Sequence, residues 1–266
     1  MTSRTADAPL AGIGVLVTRP REQAGPLVAA LAAQGADPVQ FPTLAILPPL
    51  DPAPLQAGLD RLADMDLAIF ISPTAVAHGL AAARTRGPWP SRLPVAAVGA
   101  GTARALAAAD LPPAMHPTTG EDSEHLLAHL ASLPDWQRMA GKQIALFRGE
   151  TGRETLAEAL RAQGAHVHYL PCYRRGRPPQ ADPAPILEGL TTGRIRAVTA
   201  YSAETLDNLL ALLGPGAISL LKPIPLFVPH PRIAAHARAR GLADTIDCAG
   251  GDARLVARIV EYFAHD

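Results

Sequence analysis

Short apolar runs alternate along this chain with longer stretches whose apolar positions recur every three or four residues. Val15-Leu16-Val17, Leu67–Ile71, Val95–Val98 and Ile144–Phe147 read as buried strands. Stretches 21–34 and 154–163 read as helices. The first sets Ala24, Leu27, Val28 and Leu31 on one stripe, the second Leu156, Ala159 and Leu160. Gly35 and Gly164 stand where a helix C-terminus takes a left-handed residue. Strands alternating with helices predict a parallel sheet covered by helices. Pro-rich stretches 48–54 and 177–185 break the pattern and read as connectors.

The pattern is written twice. Val15-Leu16-Val17-Thr18-Arg19-Pro20 matches Ile144-Ala145-Leu146-Phe147-Arg148-Gly149, and Ala-Gln-Gly-Ala closes the next helix at 33–36 and again at 162–165. Arg19 and Arg148 stand 129 positions apart, as do Pro42 and Pro171. Three later blocks, 67–72 with 197–202, 95–99 with 225–229 and 121–123 with 251–253, match at 130. Constant spacing over ordered blocks argues for a duplication rather than a general likeness of α/β units. The expected architecture is α/β, two similar parallel-sheet domains with the active-site cleft between them.

Composition narrows the function. Hydrophobic residues make up 48% of the 266 and aromatics only 4%, so the core is built from Ala, Leu, Val and Ile. Basic and acidic residues balance at 24 each, which argues against nucleic acid as a partner. The two cysteines, Cys172 and Cys248, make no CxxC pair and no disulfide framework. The first ten residues lack the basic-then-apolar pattern of a signal peptide, and no apolar run approaches the roughly 20 residues of a membrane span. A cytoplasmic protein, off the membrane, is the expectation.

The strand-to-helix turns carry the candidate chemistry, because parallel sheets bind ligands at strand carboxyl ends. These are Ser72-Pro73-Thr74 and its repeat partner Ser202-Ala203-Glu204, Gly99-Ala100-Gly101-Thr102 and its partner Pro229-His230-Pro231-Arg232, and Arg148-Gly149-Glu150-Thr151-Gly152-Arg153. Helix N-termini offer unpaired N–H groups and partial positive charge to carboxylates or phosphates. Taken singly, each turn is equally well a helix cap. Gly99-Ala100-Gly101 lacks the third glycine of a dinucleotide fingerprint, the 148–153 turn lacks the lysine of a P-loop, and no Gly-x-Ser-x-Gly elbow occurs. His125 with His129 and His166 with His168 have no third metal ligand nearby, and Cys172 has no adjacent base. No metal and no cofactor are implied, so an enzyme built this way works by positioning and charge stabilisation.

These residues resemble the uroporphyrinogen-III synthase family. The resemblance rests on the opening block 15–20 with Gln23, Leu27, Leu31 and Gly35, on Phe70-Ile71-Ser72-Pro73-Thr74-Ala75-Val76, on Val98-Gly99-Ala100-Gly101-Thr102-Ala103, on Leu146-Phe147-Arg148-Gly149 with Gly152 and Arg153, and on Pro171-Cys172-Tyr173-Arg174. It extends over roughly 13–262. Ile71 departs from the family's usual threonine, and Pro229-His230-Pro231-Arg232 stands where many members have Gly-x-x-Thr.

The resemblance implies two α/β domains joined by a two-stranded connector: domain one from 1–41 and 177–266, domain two from 46–170, and connecting strands 42–45 and 171–176. Each copy's opening strand–helix–strand then belongs with the other copy's remainder; a plain split near residue 135 is the alternative. The implied reaction cyclises hydroxymethylbilane with inversion of the last ring and loss of water. Tyr173 is implied as the catalytic residue. Arg19, Ser72, Pro73, Thr74, Gly99, Gly101, Thr102, Arg148, Gly149, Arg153, Ser202, His230 and Arg232 are implied around the substrate, with Arg232 replacing a lost hydroxyl. The implied protein is a monomer whose partner is this one small molecule. A two-lobed binding protein that closes on an anionic metabolite without chemistry is the competing expectation.

Overall fold

The computed structural model describes residues 8–264. Residues 1–7, where the signal-peptide and domain-one expectations begin, and 265–266 lie outside the described residues. The chain divides into two compact units, one running to residue 45 and resuming at 176, the other spanning 46–175.

The continuous unit holds β3 (Ala45–Leu47, which enters it from the preceding segment), α2 (Ala53–Asp60), β4 (Leu67–Phe70), α3 (Pro73–Arg84), β5 (Val95–Ala97), α4 (Ala100–Ala108), α5 (Ser123–Ser132), β6 (Gln143–Gly149), α6 (Thr155–Ala162) and β7 (His166–Gly176, which leaves it). The other unit holds β1 (Gly14–Val17), α1 (Arg21–Ala33), β2 (Asp37–Gln40), α7 (Ala184–Thr191), β8 (Ile195–Thr199), α8 (Ala203–Leu213), α9 (Ala217–Leu221), β9 (Leu226–Val228), α10 (Pro231–Ala239), β10 (Thr245–Asp247) and α11 (Asp252–Ala264). Residues 42–44 belong to no strand.

Each unit has one five-stranded sheet, ordered β10-β9-β8-β1-β2 in the first and β3-β7-β6-β4-β5 in the second. The opening strands of each copy therefore lie in the sheet of the other. Register carries the repeat further than sequence does. Leu16 pairs with Val198 as Ala145 pairs with Ala68, and Gly14 pairs with Asp37 as Gln143 pairs with His166. Thr245 pairs with Leu226 in β10–β9, and the single bridge Met115–Ala96 repeats that pair 130 positions earlier. Met115 is thus the remnant of a fifth repeat strand, which the apolar pattern alone did not mark.

Side-chain alternation sorts the core. In β4, Ala68 and Phe70 face one cluster with α2, α3 and α4, while Leu67 and Ile69 face another with α5 and α6. In the first unit, Leu16 faces α7, α8 and α10, while Val15 and Val17 face α1 and α11. Both faces are covered, so β1 and β4 are buried at every position, as parallel sheets require. The stripe on α6 is Leu156, Ala157 and Leu160, with Ala159 only part-buried. The expected stripe has Ala159 where the buried residue is Ala157, because that helix packs against α5 as well as over the apolar face of β6. The Pro-rich connectors are also shorter than expected. Helices α2 and α7 begin at Ala53 and Ala184, with Pro54 and Pro185 in their first turns, where a missing N–H costs nothing. Gly35 and Gly164 do take φ of +82° and +87°.

Two close approaches fix the sheets. A Cβ on Gly14 would lie 2.2 Å from the Arg194 carbonyl oxygen, at the point where the β1–β8 register shifts. A Cβ on Gly79 would lie 2.6 Å from Phe147 Cδ1, and Phe147 is itself stacked on Phe70 with centroids 4.4 Å apart. We expect Gly79→Ala to lose up to about 2 kcal/mol, because overpacking of about 1–3 kcal/mol is only partly offset by the ~1 kcal/mol helix-propensity gain. A urea midpoint at or above the parent value would show that Phe147 yields to the methyl.

Candidate active site

In a doubly wound sheet the crevice forms where chain direction across the sheet reverses. That point lies between β4 and β6 in the continuous unit and between β1 and β8 in the other. At these strand ends stand Ser72, just past β4, and Gly149, the last residue of β6, in one, and Thr18, Arg19, Tyr201 and Ser202 in the other.

Strand β7 outruns its neighbour and carries Tyr173. Its pairing with β6 steps from Arg148–Pro171 to Gly149–Tyr173, so Cys172 is a bulge residue. Consecutive side chains of a regular strand face opposite ways. Here Cys172 and Tyr173 both pack into the same cluster, the re-aiming that a bulge produces. Tyr173 is 6% exposed, its ring centroid 6.0 Å from that of His78. Gly149 makes room beneath it, since a Cβ there would sit 3.1 Å from ring atoms. The Tyr173 hydroxyl lies 3.3 Å from Ser72 Oγ, which accepts the Ala75 amide at 3.1 Å as N-cap of α3. Cys172 is no nucleophile: burial pushes its thiol up to about 12, and it donates to the Arg148 carbonyl at 3.3 Å.

Helix α4 presents bare backbone. Its N-cap Gly99 has no side chain to offer, and the first helical bond runs from Ala103 N–H to the Gly99 carbonyl. Among the described residues the amides of Ala100, Gly101 and Thr102 find no acceptor. Gly99 is required by Glu121, whose Cβ would lie 3.0 Å from an added Cβ. Gly101 meets nothing closer than 3.9 Å, so no packing within the chain demands glycine there. Pro73 has no N–H, and the Thr74 amide beside it is free in the same sense.

Arg148 is 4% exposed and already matched. It donates to Glu154 at 2.8 Å and to the Gly149 carbonyl at 3.2 Å, and its guanidinium stands 4.7 Å from the centre of the Tyr169 ring. Tyr169 also donates to Glu154, and donation from Tyr169 and then Arg148 holds that carboxyl below its ordinary pKa. Arg153 is exposed and has no ion pair among the described residues.

The first unit closes what the second leaves open. Ser202 caps α8 in a reciprocal box: Thr205 N–H donates to Ser202 Oγ at 3.0 Å, and Ser202 N–H donates to Thr205 Oγ1 at 3.0 Å. His230 caps α10 by accepting the Arg232 amide at Nδ1, 3.1 Å away. Arg19 forms both its close contacts, 2.9 and 2.8 Å, with Asp252, and lies 3.7 Å over the Tyr201 ring. Tyr201 donates to Asp252 at 2.6 Å; burial and that bond push its pKa well above the phenol range. The Arg232 side chain is exposed and has no ion pair among the described residues. No group of three or more His, Cys, Asp or Glu among the described residues is placed to hold a metal ion.

Structure thus gathers Tyr173, Ser72 and Gly149 directly, puts Gly99, Gly101, Thr102, Pro73 and Thr74 on adjoining helix N-termini, and shows Arg19 and Arg148 engaged internally. Asp252, Glu154 and Tyr169, the partners of those arginines, went unnoticed in the sequence. The position of Asp252 opening the last repeat helix was the only signal for any of them.

The sequence profile of the family described as Uroporphyrinogen-III synthase HemD matches residues 25–247. A uroporphyrinogen-III synthase of Synechococcus elongatus is 35% identical over 217 residues, 78% of this chain and 77% of that one. That of Salmonella typhimurium is 35% identical over 164 residues, 61% of this chain and 65% of its own length. A crystal structure of a mutant uroporphyrinogen III synthase from Thermus thermophilus covers 96% of this chain and 100% of that one, with a TM-score of 0.57 at 20% identity. A uroporphyrinogen-III synthetase structure from Helicobacter pylori covers 94% and 98%, with a TM-score of 0.53 at 12% identity. The structures share the fold, two α/β domains with parallel sheets. The chain belongs to the uroporphyrinogen-III synthase family.

Proposed function

We propose that this protein is a lyase that cyclises the linear tetrapyrrole hydroxymethylbilane to uroporphyrinogen III, inverting ring D and releasing water, in the biosynthesis of heme and siroheme. The observation that carries this reading is the 35% identity to a named synthase over 78% of the chain. A two-lobed binding protein without chemistry is the reading it displaces.

Tyr173 is the acid. Its proton goes to the departing hydroxyl, the C–O bond breaks, and water leaves a cationic azafulvene. Attack by the far ring forms a spiro intermediate that rearranges and closes with loss of a proton. The substrate's carboxylates take the free amides of Thr74, Ala100, Gly101 and Thr102, next to Pro73 and Gly99, and the exposed charges of Arg153 and Arg232. Gly149 gives Tyr173 its seat. Ser202 and His230 shape their turns as caps, and Arg19 and Arg148 hold Asp252 and Glu154 at the sheet ends. Holding a flexible chain in one cyclising geometry supplies much of the rate. We further propose domain boundaries of 1–41 with 177–266 and 46–170, joined by segment 42–45, of which only Ala45 is in a strand, and by 171–176 at the end of β7. The protein works as a cytoplasmic monomer without nucleic acid or membrane partners. No helix among the described residues is long and apolar enough to cross a membrane.

Incubation with hydroxymethylbilane, followed by oxidation and chromatography, is expected to yield the type III isomer; type I alone, the spontaneous product, would sink the enzyme reading. Tyr173→Phe, with folding checked by circular dichroism, is expected to lower kcat by roughly 100-fold, the scale of general-acid catalysis. Turnover equal to the parent removes its role. Arg232→Ala is expected to raise KM by roughly fivefold, one exposed ion pair's worth, and an unaltered KM removes Arg232 from the substrate's contacts.

A further inference from the structure

We propose that Ser72 is a positioning residue that aims the Tyr173 proton at the substrate, rather than a carboxylate ligand. This rests on the reading of Tyr173 as the acid.

A serine hydroxyl has one proton and two acceptor sites. The Ala75 amide fills one acceptor site of Ser72 Oγ at 3.1 Å, and Tyr173 Oη stands 3.3 Å away. Among the described residues neither hydroxyl has another side-chain partner. In the resting protein either oxygen can donate to the other. Once a leaving hydroxyl accepts from Tyr173, only one direction satisfies every group: Ala75 N–H to Ser72 Oγ, Ser72 O–H to Tyr173 Oη, Tyr173 O–H to substrate. That direction also places a donor, backed by the N-terminus of the 12-residue helix α3, on the oxygen that gains negative charge as its proton leaves. The phenol is held for this: its ring is buried, seated on Gly149 and flanked by His78.

The repeat shows that this arrangement is not a generic cap. Ser202 is the counterpart of Ser72, but the third helical residue after it is Thr205, whose hydroxyl lies 3.3 Å from Ser202 Oγ and closes the box. At the matching place after Ser72 stands Ala75, which has no hydroxyl, so the serine proton is left for Tyr173. Tyr173 is unique in the same way, because the residue 129 positions before it is Leu44. The relay exists in one copy only, on a cap whose geometry the two copies share.

The test combines Ser72→Gly, Ser72→Thr, Tyr173→Phe and the Ser72→Gly/Tyr173→Phe double variant, with kcat and KM for hydroxymethylbilane measured for each. Glycine is a tolerated N-cap that costs only a few tenths of a kcal/mol, so folding survives. The expected result is a kcat about tenfold lower in Ser72→Gly, the loss of one hydrogen bond to developing charge. KM stays within about twofold, Ser72→Thr recovers kcat, and Ser72→Gly adds no loss to Tyr173→Phe. A parent-like kcat in Ser72→Gly beside a disabled Tyr173→Phe overturns the relay alone. So does an equal loss from Ser72→Gly in both backgrounds, a failure of threonine to recover kcat, or an effect confined to KM, which would make Ser72 a substrate ligand. A parent-like kcat in Tyr173→Phe overturns the acid assignment and the relay with it.

Discussion

Two parallel ladders, β1 on β8 and β4 on β6, hold everything else in place. Each joins the opening of one copy to the third strand of the other, and each marks the reversal point of its sheet. β1 and β4 are buried at every position, so register is enforced by apolar side chains on both faces. In the first unit buried threonines tie the same seam: Thr18 Oγ1 donates to the Thr199 carbonyl at 2.7 Å, and Thr199 Oγ1 to the Leu16 carbonyl at 3.1 Å. A slip of one residue there would break these bonds and turn Arg19 away from its sheet end.

On this common frame the copies have been finished differently. One set of turns spends its donors on its own side chains, through Thr205 and His230. The other leaves more of them open, because Gly99 has no side chain to accept an amide and Ala75 has no hydroxyl to close a box with Ser72. Helix ends of the first kind stabilise the fold, whereas those of the second kind leave unpaired amides that a multiply charged ligand would satisfy. A substrate with two unlike ends is served by such division better than by two equal half-sites.

Much of the fold could be read in advance because its signals are local. Strand and helix periods, the left-handed Gly35 and Gly164, and the fixed spacing of repeat blocks need only short windows of sequence. What stayed hidden depends on pairing at long range. Tyr173 meets Ser72 across 101 positions, and only because a bulge at Cys172 turns the tyrosine to the same side as its neighbour. Arg19 finds Asp252 across 233 positions, so a charge that read as available for substrate is already matched. The family resemblance singled out Tyr173, but neither its seat on Gly149 nor its link to Ser72 is written in any one stretch of chain.

The exchange of opening strands also sets an order in time. Every strand of the β4–β7 sheet lies within one continuous stretch, so it emerges from the ribosome complete. Strand β1 is made earlier than any of them, yet Thr18 must wait 181 residues for Thr199. Until β8 appears, β1 and β2 are a short ribbon with an apolar edge and no neighbour, the kind of segment that other chains can capture. Strand β1 is therefore made before the β3–β7 sheet and paired with β8 only after it, and the interval is governed by how quickly the intervening residues can be translated and folded.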